Sequence, residues 1–160
     1  MLATHMAEVK RKQGLKLFID WHSYGQYIMY RKASPPPLLH CTTNTQTAYG
    51  FTCDKTISAN HHVKVVARDA ANAMKAVHGT VYKTGTACEL LYPTSGSSED
   101  YAYDVVGADY AYTIELRPGD NNRNGFHLPE DQIQATGEEA FAGVRQMLRS
   151  ISAGPKGGRR

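Results

Sequence analysis

The stretch LFIDWHSYGQ, residues 17–26, places three consecutive apolar side chains before an acid, a tryptophan and the histidine His22. A nearly continuous apolar run is typical of a strand whose sheet is covered on both faces, so we predict a strand over residues 15–22. A histidine at the end of such a strand projects beyond the sheet edge, where α/β proteins bind ligands. Taken alone, His22 is most simply an ordinary strand-end histidine whose hydrogen bonds are satisfied.

The chain has the length and composition of one globular domain. Its 160 residues can bury a sizeable core, and 41% hydrophobic with 21% charged residues is ordinary for a folded protein. No apolar run approaches the roughly 18 residues needed to span a membrane, and no signal-peptide pattern is visible at the N-terminus. The net charge is only +3, and part of it lies in the tail at 156–160, so we predict no nucleic-acid binding.

Hydrophobic periodicity predicts helices that alternate with strands. A helix over 4–12 ends before Gly14, and a second helix over 61–78 ends before Gly79. We further predict a strand near 81–83, a loop over 84–100 with a short helix over 98–107, and a strong strand over 108–117. Alternating helices and buried strands argue for an α/β layered domain.

The last helix is predicted to start at a capping box, Thr136-Gly137-Glu138-Glu139. Its expected apolar stripe consists of Ala140, Phe141, Val144, Met147, Leu148 and Ile151.

The strand over 108–117 carries an unusual acid, Glu115. Alternation puts Ala111, Thr113 and Glu115 on one face of the strand, and apolar side chains on the other. A carboxylate on a strand this apolar is costly unless it is paired, hydrated or used. Glu115 is therefore a candidate functional residue.

Three segments together resemble the zinc metallocarboxypeptidases of the pancreatic carboxypeptidase A/B type. They are WHSYGQYIMY (21–30), LLYPTSGSSEDYAY (90–103) and YTIELRPGDNNRNGFHLPEDQI (112–133). The resemblance implies the C-terminal half of a carboxypeptidase-like mixed sheet flanked by helices, over residues 1–152. It also implies a hydrolase that removes the C-terminal residue of peptides with one zinc ion, and a monomer that binds neither nucleic acid nor membrane.

Carried over position by position, His22 matches the family's second histidine ligand of zinc. Glu115 matches the glutamate that takes a proton from zinc-bound water and passes it to the leaving amine. Bound zinc lowers the pKa of a coordinated water from 15.7 to about 7, and a nearby carboxylate can then act as general base and acid.

The resemblance also implies a set of substrate-binding residues. Ser23 and Tyr24 match neighbours that line substrate subsites, and Tyr92 matches the tyrosine that caps the peptide's C-terminus. Glu99 matches the floor of the pocket for the C-terminal side chain, and Thr113 its wall. An acid at the floor predicts cleavage after C-terminal Lys or Arg; alternatively, Glu99 faces solvent at a helix N-terminus, where acids are favoured.

The matched region is only half of the family's catalytic domain, and the absent half carries the H-x-x-E zinc motif. Catalytic zinc needs three protein ligands, so we expect this chain alone to be inactive. We reject the two local matches, His5–Glu8 and His127–Glu130, because neither lies where the family has its motif. The alternative function is a metal-free remnant or a binding half-domain.

The three cysteines are Cys41, Cys53 and Cys88. No C-x-x-C pair exists, which argues against a cysteine zinc site, and spacing alone does not select a disulfide. The resemblance implies a Cys53–Cys88 disulfide, because both flank segments near the family's substrate pocket, and it implies secretion. Two buried free thiols are the alternative.

Residues 31–47 interrupt the resemblance with a Pro- and Thr-rich run. A surface-loop insertion is one interpretation, since loops tolerate added length. The other is a retained intron, because its removal through the Arg31 codon would restore the family's Tyr-Pro-Tyr-Gly at Tyr30 and Tyr49. Residues 153–160 are predicted to be a disordered tail.

Overall fold

The computed structural model describes residues 2–30, 61–94, 96–123 and 125–154. The segment 31–47 and residues 155–160 of the predicted tail lie outside these ranges, as does Cys53. No helix in the described ranges is both long and apolar enough to cross a bilayer.

A 3₁₀ turn at Glu130–Gln132 precedes the last helix. The helices and strands are α1 (Leu2–Gln13), β1 (Leu17–Gly25), β2 (Tyr27–Tyr30), α2 (His62–His78), β3 (Lys83–Gly85), α3 (Ala87–Leu90), α4 (Ser98–Asp104), β4 (Tyr110–Gly119) and α5 (Ile133–Ala153).

The described strands form one mixed sheet in the order β1-β4-β2-β3. β1 runs parallel to β4, β2 runs antiparallel to β4, and β3 runs parallel to β2. A tight turn joins β1 to β2, with Gln26 at a φ of 61° and its N–H donating to the carbonyl of Leu116. The mixed sheet with flanking helices confirms the predicted fold class. We predicted a single strand over residues 15–22, whereas β1 extends to Gly25 and is followed by β2, a second strand that was not predicted.

Alternation along β4 directs its side chains into two layers, as predicted. Tyr112 and Ile114 are buried in a core with residues of α2 and α5. Ala111 packs on the opposite face with Met6 of α1 and Ala102 of α4. The sheet therefore carries a helical layer on each face.

The helix predicted over 61–78 is confirmed as α2. It ends at Gly79, whose left-handed backbone lets its N–H donate to the carbonyl of Lys75. β3 lies at 83–85 rather than 81–83, because its pairing with β2 begins at Lys83. The helix α3 falls in a segment that we predicted to be loop.

The prediction that the last helix starts at a capping box on Thr136 is wrong. α5 begins at Ile133, directly after the 3₁₀ turn, and Thr136 lies inside it. The Thr136 hydroxyl donates to the carbonyl of Gln132, 2.7 Å away, as a hydroxyl inside a helix commonly does. A reciprocal capping box does occur, but at Thr86 and Glu89 of α3.

The predicted apolar stripe of α5 is only partly buried. Met147 and Ile151 are in the core, but Phe141 is 68% exposed and Leu148 is 50% exposed. The residues that α5 buries are Thr136, Glu139, Gly143, Met147, Ser150 and Ile151. The helix buries polar as well as apolar side chains because the polar ones have hydrogen-bond partners: Glu139 accepts from Arg117, and Ser150 donates to Asp69.

A buried ion pair joins the end of β4 to α5. The Nε of Arg117 donates to Oε2 of Glu139 at 3.0 Å, and its Nη2 donates to Oε1. The hydroxyl groups of Thr80 and Tyr82 complete this cluster, one accepting from Arg117 and the other donating to Glu139. Burial, and then the negative charge of Glu139, raise the pKa of Tyr82. Because Glu139 is fully buried, these partners fix the rotation of α5.

We expect Gly143→Ala to destabilise the fold, because α5 approaches α2 closely at this position. A Cβ at Gly143 would lie 2.8 Å from Cγ and Sδ of the buried Met74. Overpacking of this kind costs about 1 to 3 kcal/mol of unfolding free energy. The matched control is Gly137→Ala in the same helix, where nothing lies within 4 Å of the added Cβ. Relief of glycine's entropy cost should make that variant more stable by roughly 0.5 to 1 kcal/mol. Urea unfolding followed by circular dichroism measures both, and equal effects at the two glycines would contradict the close packing.

We expect Arg117→Met to lower the unfolding free energy by about 3 to 5 kcal/mol, since it leaves the Glu139 carboxylate buried without a cation. Adding Glu139→Leu should recover most of that loss, because a buried pair can be replaced by apolar groups at little cost. Lys16→Met is the surface control: it breaks the exposed pair with Asp109, where the Nζ–Oδ2 distance is 2.7 Å, and should change stability little. Denaturant unfolding of the four proteins is the measurement. No recovery in the double variant would show that Arg117 contributes through other contacts.

Candidate active site

Parallel pairing of β1 with β4 brings the predicted site residues together. Asp20 lies opposite Thr113, and His22 lies opposite Glu115. Because alternate residues of a strand share a face, all four side chains belong to the same face near the carboxyl ends of both strands.

His22 lies between two carboxylates. Its Nδ1 is 3.7 Å from Oε1 of Glu115, and its Nε2 is 3.1 Å from Oδ2 of Asp20. The side chain is 48% exposed, so the ring is open to solvent on one side. The structure thus brings His22 and Glu115 together, and adds Asp20, which we did not predict.

Glu115 has the environment of a proton-transferring acid. Burial raises the pKa of its carboxyl above the ordinary value; the charge of His22 lowers it and that of Asp20 raises it by smaller amounts. The Oε2 atom is buried and has no hydrogen-bond partner among the described residues. A carboxylate with a raised pKa is a stronger base, and is better matched to proton transfer near neutral pH.

The first turn of α4 reaches over this face of the sheet. Glu99 is buried, and its Oε2 accepts a hydrogen bond of 2.8 Å from the hydroxyl of Thr113. The adjacent Ser98 donates its hydroxyl hydrogen to Oδ2 of Asp20. Glu99 therefore points inward at the sheet and not to solvent at the helix N-terminus.

The other predicted substrate residues lie on β1 and on the segment between α3 and α4. Ser23 directly follows His22, and the peptide bond from Ser23 to Tyr24 is cis. The Tyr24 ring makes an edge contact with Phe126, with ring centroids 4.9 Å apart. Tyr92 is 65% exposed on the segment between α3 and α4. The sequence analysis did not predict the contact of Phe126 with Tyr24, although a phenylalanine in such a polar loop indicates that its ring has a packing partner.

Three further histidines, His61, His62 and His78, have ordinary structural surroundings. His61 caps α2, and the His62 ring nitrogen lies 2.7 Å from the hydroxyl of Tyr110. His78 pairs with Glu138 between α2 and α5.

Both rejected H-x-x-E matches are solvent-exposed at each end. His5 and Glu8 lie on α1, and His127 and Glu130 lie around the 3₁₀ turn. Neither pair meets a third ligating side chain, because residues 2–30, 61–94, 96–123 and 125–154 contain no group of three histidine, cysteine or acidic side chains placed to hold a metal ion.

The described residues therefore fit zinc only in part. Imidazole is a standard zinc donor, and the Nδ1 of His22 faces the partly buried carboxylate of Glu115, one oxygen of which lacks a partner among these residues. A catalytic zinc site needs three protein ligands, and the described part of the chain brings only His22 to this position. By themselves these residues do not complete the site.

Cys88 lies in α3 and is disulfide-bonded. Cys41 and Cys53 lie outside the described residues, so its pairing with Cys53 stays a prediction.

Comparison with known proteins gives a consistent family. A family model described as zinc carboxypeptidase matches residues 2–143. Metallocarboxypeptidase A of Trichophyton rubrum is 38% identical over 156 residues, which cover 96% of this chain and 32% of that protein. Carboxypeptidase O of Bos taurus is 42% identical over 142 residues, covering 88% of this chain and 32% of that protein. The chain thus spans about a third of the length of these relatives.

Solved structures share the fold. Bovine thrombin-activatable fibrinolysis inhibitor, solved with tick carboxypeptidase inhibitor, superposes with a TM-score of 0.70 at 29% identity, over 94% of this chain and 45% of that one. Carboxypeptidase A of Helicoverpa armigera superposes with a TM-score of 0.72 over 98% of this chain and 34% of that one, at 24% identity. Because the family model matches residues 2–143, which are most of this chain, the chain belongs to the zinc carboxypeptidase family.

Proposed function

We propose that this chain contributes part of the catalytic site of a zinc-dependent metallocarboxypeptidase, which removes the C-terminal residue of peptides by hydrolysis. The observation that carries the proposal is the pairing of His22 with Glu115 on adjacent parallel strands. An imidazole that can ligate zinc and a partly buried carboxylate of raised pKa then lie at one position. Family membership supports the reaction class.

In this proposal His22 supplies one zinc ligand, and the other ligands come from residues outside the described ranges. Zinc, when bound, lowers the pKa of a coordinated water and polarises a carbonyl group. Glu115 accepts a proton at one carboxylate oxygen and later donates it to the amine that leaves. Its burial favours this role, because burial raises the pKa of the carboxyl.

The substrate is proposed to be a peptide whose last side chain enters the pocket at Glu99 and Thr113. A buried carboxylate is compensated by a basic side chain but left unpaired by an apolar one, so we propose a preference for C-terminal Lys or Arg. Tyr92 covers the peptide's C-terminus from its exposed position, while Ser23 and Tyr24 bind residues further along the peptide. Phe126 extends the surface of Tyr24.

A second candidate is a metal-free remnant that binds without catalysis. The observation that favours it is the lack of a three-ligand group among the described residues.

We also propose that the protein is secreted and acts as a monomer. The disulfide at Cys88 supports an oxidising compartment.

The 160-residue chain alone is expected to bind zinc weakly and to hydrolyse no blocked dipeptide, because one imidazole cannot hold the ion in an open three-ligand site. Fusing the preceding region of the Trichophyton rubrum relative upstream should produce stoichiometric zinc binding and hydrolysis. In that fusion, His22→Ala should lose both properties, whereas Glu115→Gln should lose hydrolysis and keep zinc. Metal analysis and a peptidase assay measure the two properties separately.

Two results would change this assignment. Stoichiometric zinc and turnover sensitive to Glu115→Gln in the chain alone would show that the site is complete without further residues. A folded fusion that binds zinc but never hydrolyses peptides would favour the non-catalytic candidate.

In the active fusion, we expect kcat/KM to be higher for a peptide ending in Arg than for one ending in Phe. Glu99→Ala should reduce this ratio by at least about tenfold, since the pocket loses the group that pairs the basic side chain. Glu130→Ala is the control, because Glu130 is an exposed acid outside the pocket. A Phe preference that is identical in wild type and Glu99→Ala would remove Glu99 from the pocket.

A further inference from the structure

Asp20 contacts His22 but has no role in the function proposed above. It lies two residues before His22 on the same face of β1, with a side chain that is 33% exposed. Its Oδ2 atom meets two groups at once: the hydroxyl of Ser98 donates to it, and Nε2 of His22 lies 3.1 Å away.

Other acids in the described part of the chain differ from Asp20 in their partners. Asp109 pairs with Lys16, Asp120 with Lys83, and Glu139 with Arg117. Among the described residues, no lysine or arginine lies within ion-pair distance of Asp20, and the ring of His22 takes the place of such a cation.

The contact distinguishes the two ring nitrogens of His22. The Asp20 oxygen lies 3.1 Å from Nε2, closer than the Glu115 oxygen lies to Nδ1, so a proton on Nε2 gains the larger electrostatic stabilisation. The other nitrogen, Nδ1, then keeps its lone pair on the side of Glu115, whose Oε1 is 3.7 Å away. The orientation of an imidazole that ligates a metal is commonly set by the partner of its other nitrogen.

We propose that Asp20 is a positioning residue, which holds the His22 ring with a proton on Nε2 and with Nδ1 free on the side of Glu115. Ser98 fixes the carboxylate by donating to the same oxygen that faces the ring. The importance of this arrangement for catalysis rests on the proposed function, whereas the arrangement itself does not require zinc.

The first turn of α4 sets the geometry of this support. Ser98 bonds to Asp20 of β1, and the next residue, Glu99, accepts from Thr113 of β4. A single helical turn therefore bridges both strands of the site. A shift of this turn that moves Glu99 therefore also moves Ser98, and with it the hydrogen bond that holds the Asp20 carboxylate.

The test is the ring ¹⁵N spectrum of His22 in the full 160-residue chain, without metal and at a pH where free imidazole is neutral. Long-range ¹H–¹⁵N correlations report which nitrogen carries the proton, and His22→Asn identifies the resonances. In the wild type we expect one dominant form, protonated on Nε2. In Asp20→Ala the fraction of the other tautomer should rise several-fold. Asp20→Asn, which keeps an oxygen acceptor, should restore part of the preference.

Two further variants separate positioning from folding. Ser98→Ala should produce a smaller shift in the same direction, because the carboxylate remains but loses its anchor. Asp109→Ala should leave the His22 resonances unchanged, since Asp109 pairs with Lys16 at the start of β4. Backbone amide spectra verify that each variant is folded, and if Asp20→Ala is not, Asp20→Asn and Ser98→Ala decide the question.

An unchanged tautomer ratio in the folded Asp20 and Ser98 variants would overturn the proposal. This readout needs neither zinc nor peptide hydrolysis, so failure of the proposed function would leave it standing. Conversely, an active fusion in which Asp20→Ala changes neither the ratio nor kcat would retain the function and remove Asp20 from it.

Discussion

The register between β1 and β4 is the constraint on which the site depends. It places His22 opposite Glu115 and Asp20 opposite Thr113, so four chemically active side chains share one face. Because side chains alternate with a period of two, a slip of one residue would turn every one of β4's site residues away from those of β1. The apolar faces resist such a slip, since it would also remove Tyr112 and Ile114, which are fully or almost fully buried, from the core that they form with α2 and α5. The packing of the core and the assembly of the site are therefore one requirement.

A second constraint holds β4 where it leaves the site. Arg117 lies two residues after Glu115, and its guanidinium binds Glu139 of α5 through two donors. Two parallel bonds fix direction as well as distance, so the strand end is tied to the helix behind the sheet. Gly119 then passes so close to Gln26 that an added Cβ would collide with the side-chain oxygen. The turn after β1 and the end of β4 are thus packed against each other.

The sequence predicts those parts of the structure that depend on local periodicity. The strand before His22, the helix α2 and the alternation along β4 all follow from spacing within one segment, and all are confirmed. The rotation of α5 does not follow, because it depends on a buried acid whose partner is 22 residues away. Asp20 was missed for the same reason: its partner Ser98 is 78 residues distant, and only the folded sheet brings them together. Strand position marked His22 and Glu115 as possible functional residues, but only the family resemblance, which carries long-range information, assigned them to one site.

The carboxylates of the site differ from several other acids of the fold in the kind of partner that they contact. Three acids outside the site, Asp109, Asp120 and Glu139, are each paired with a lysine or an arginine. In the site, Asp20 and Glu99 accept from hydroxyl groups, and Glu115 faces an imidazole. A hydroxyl group satisfies a lone pair without cancelling the charge, and two of these carboxylates, Asp20 and Glu115, share the titratable ring of His22. Negative charge held in this way attracts cations and stabilises groups that become positive during a reaction. A metal ion and a basic peptide side chain are both ligands of that kind, and the same arrangement of hydroxyl partners would suit each of them.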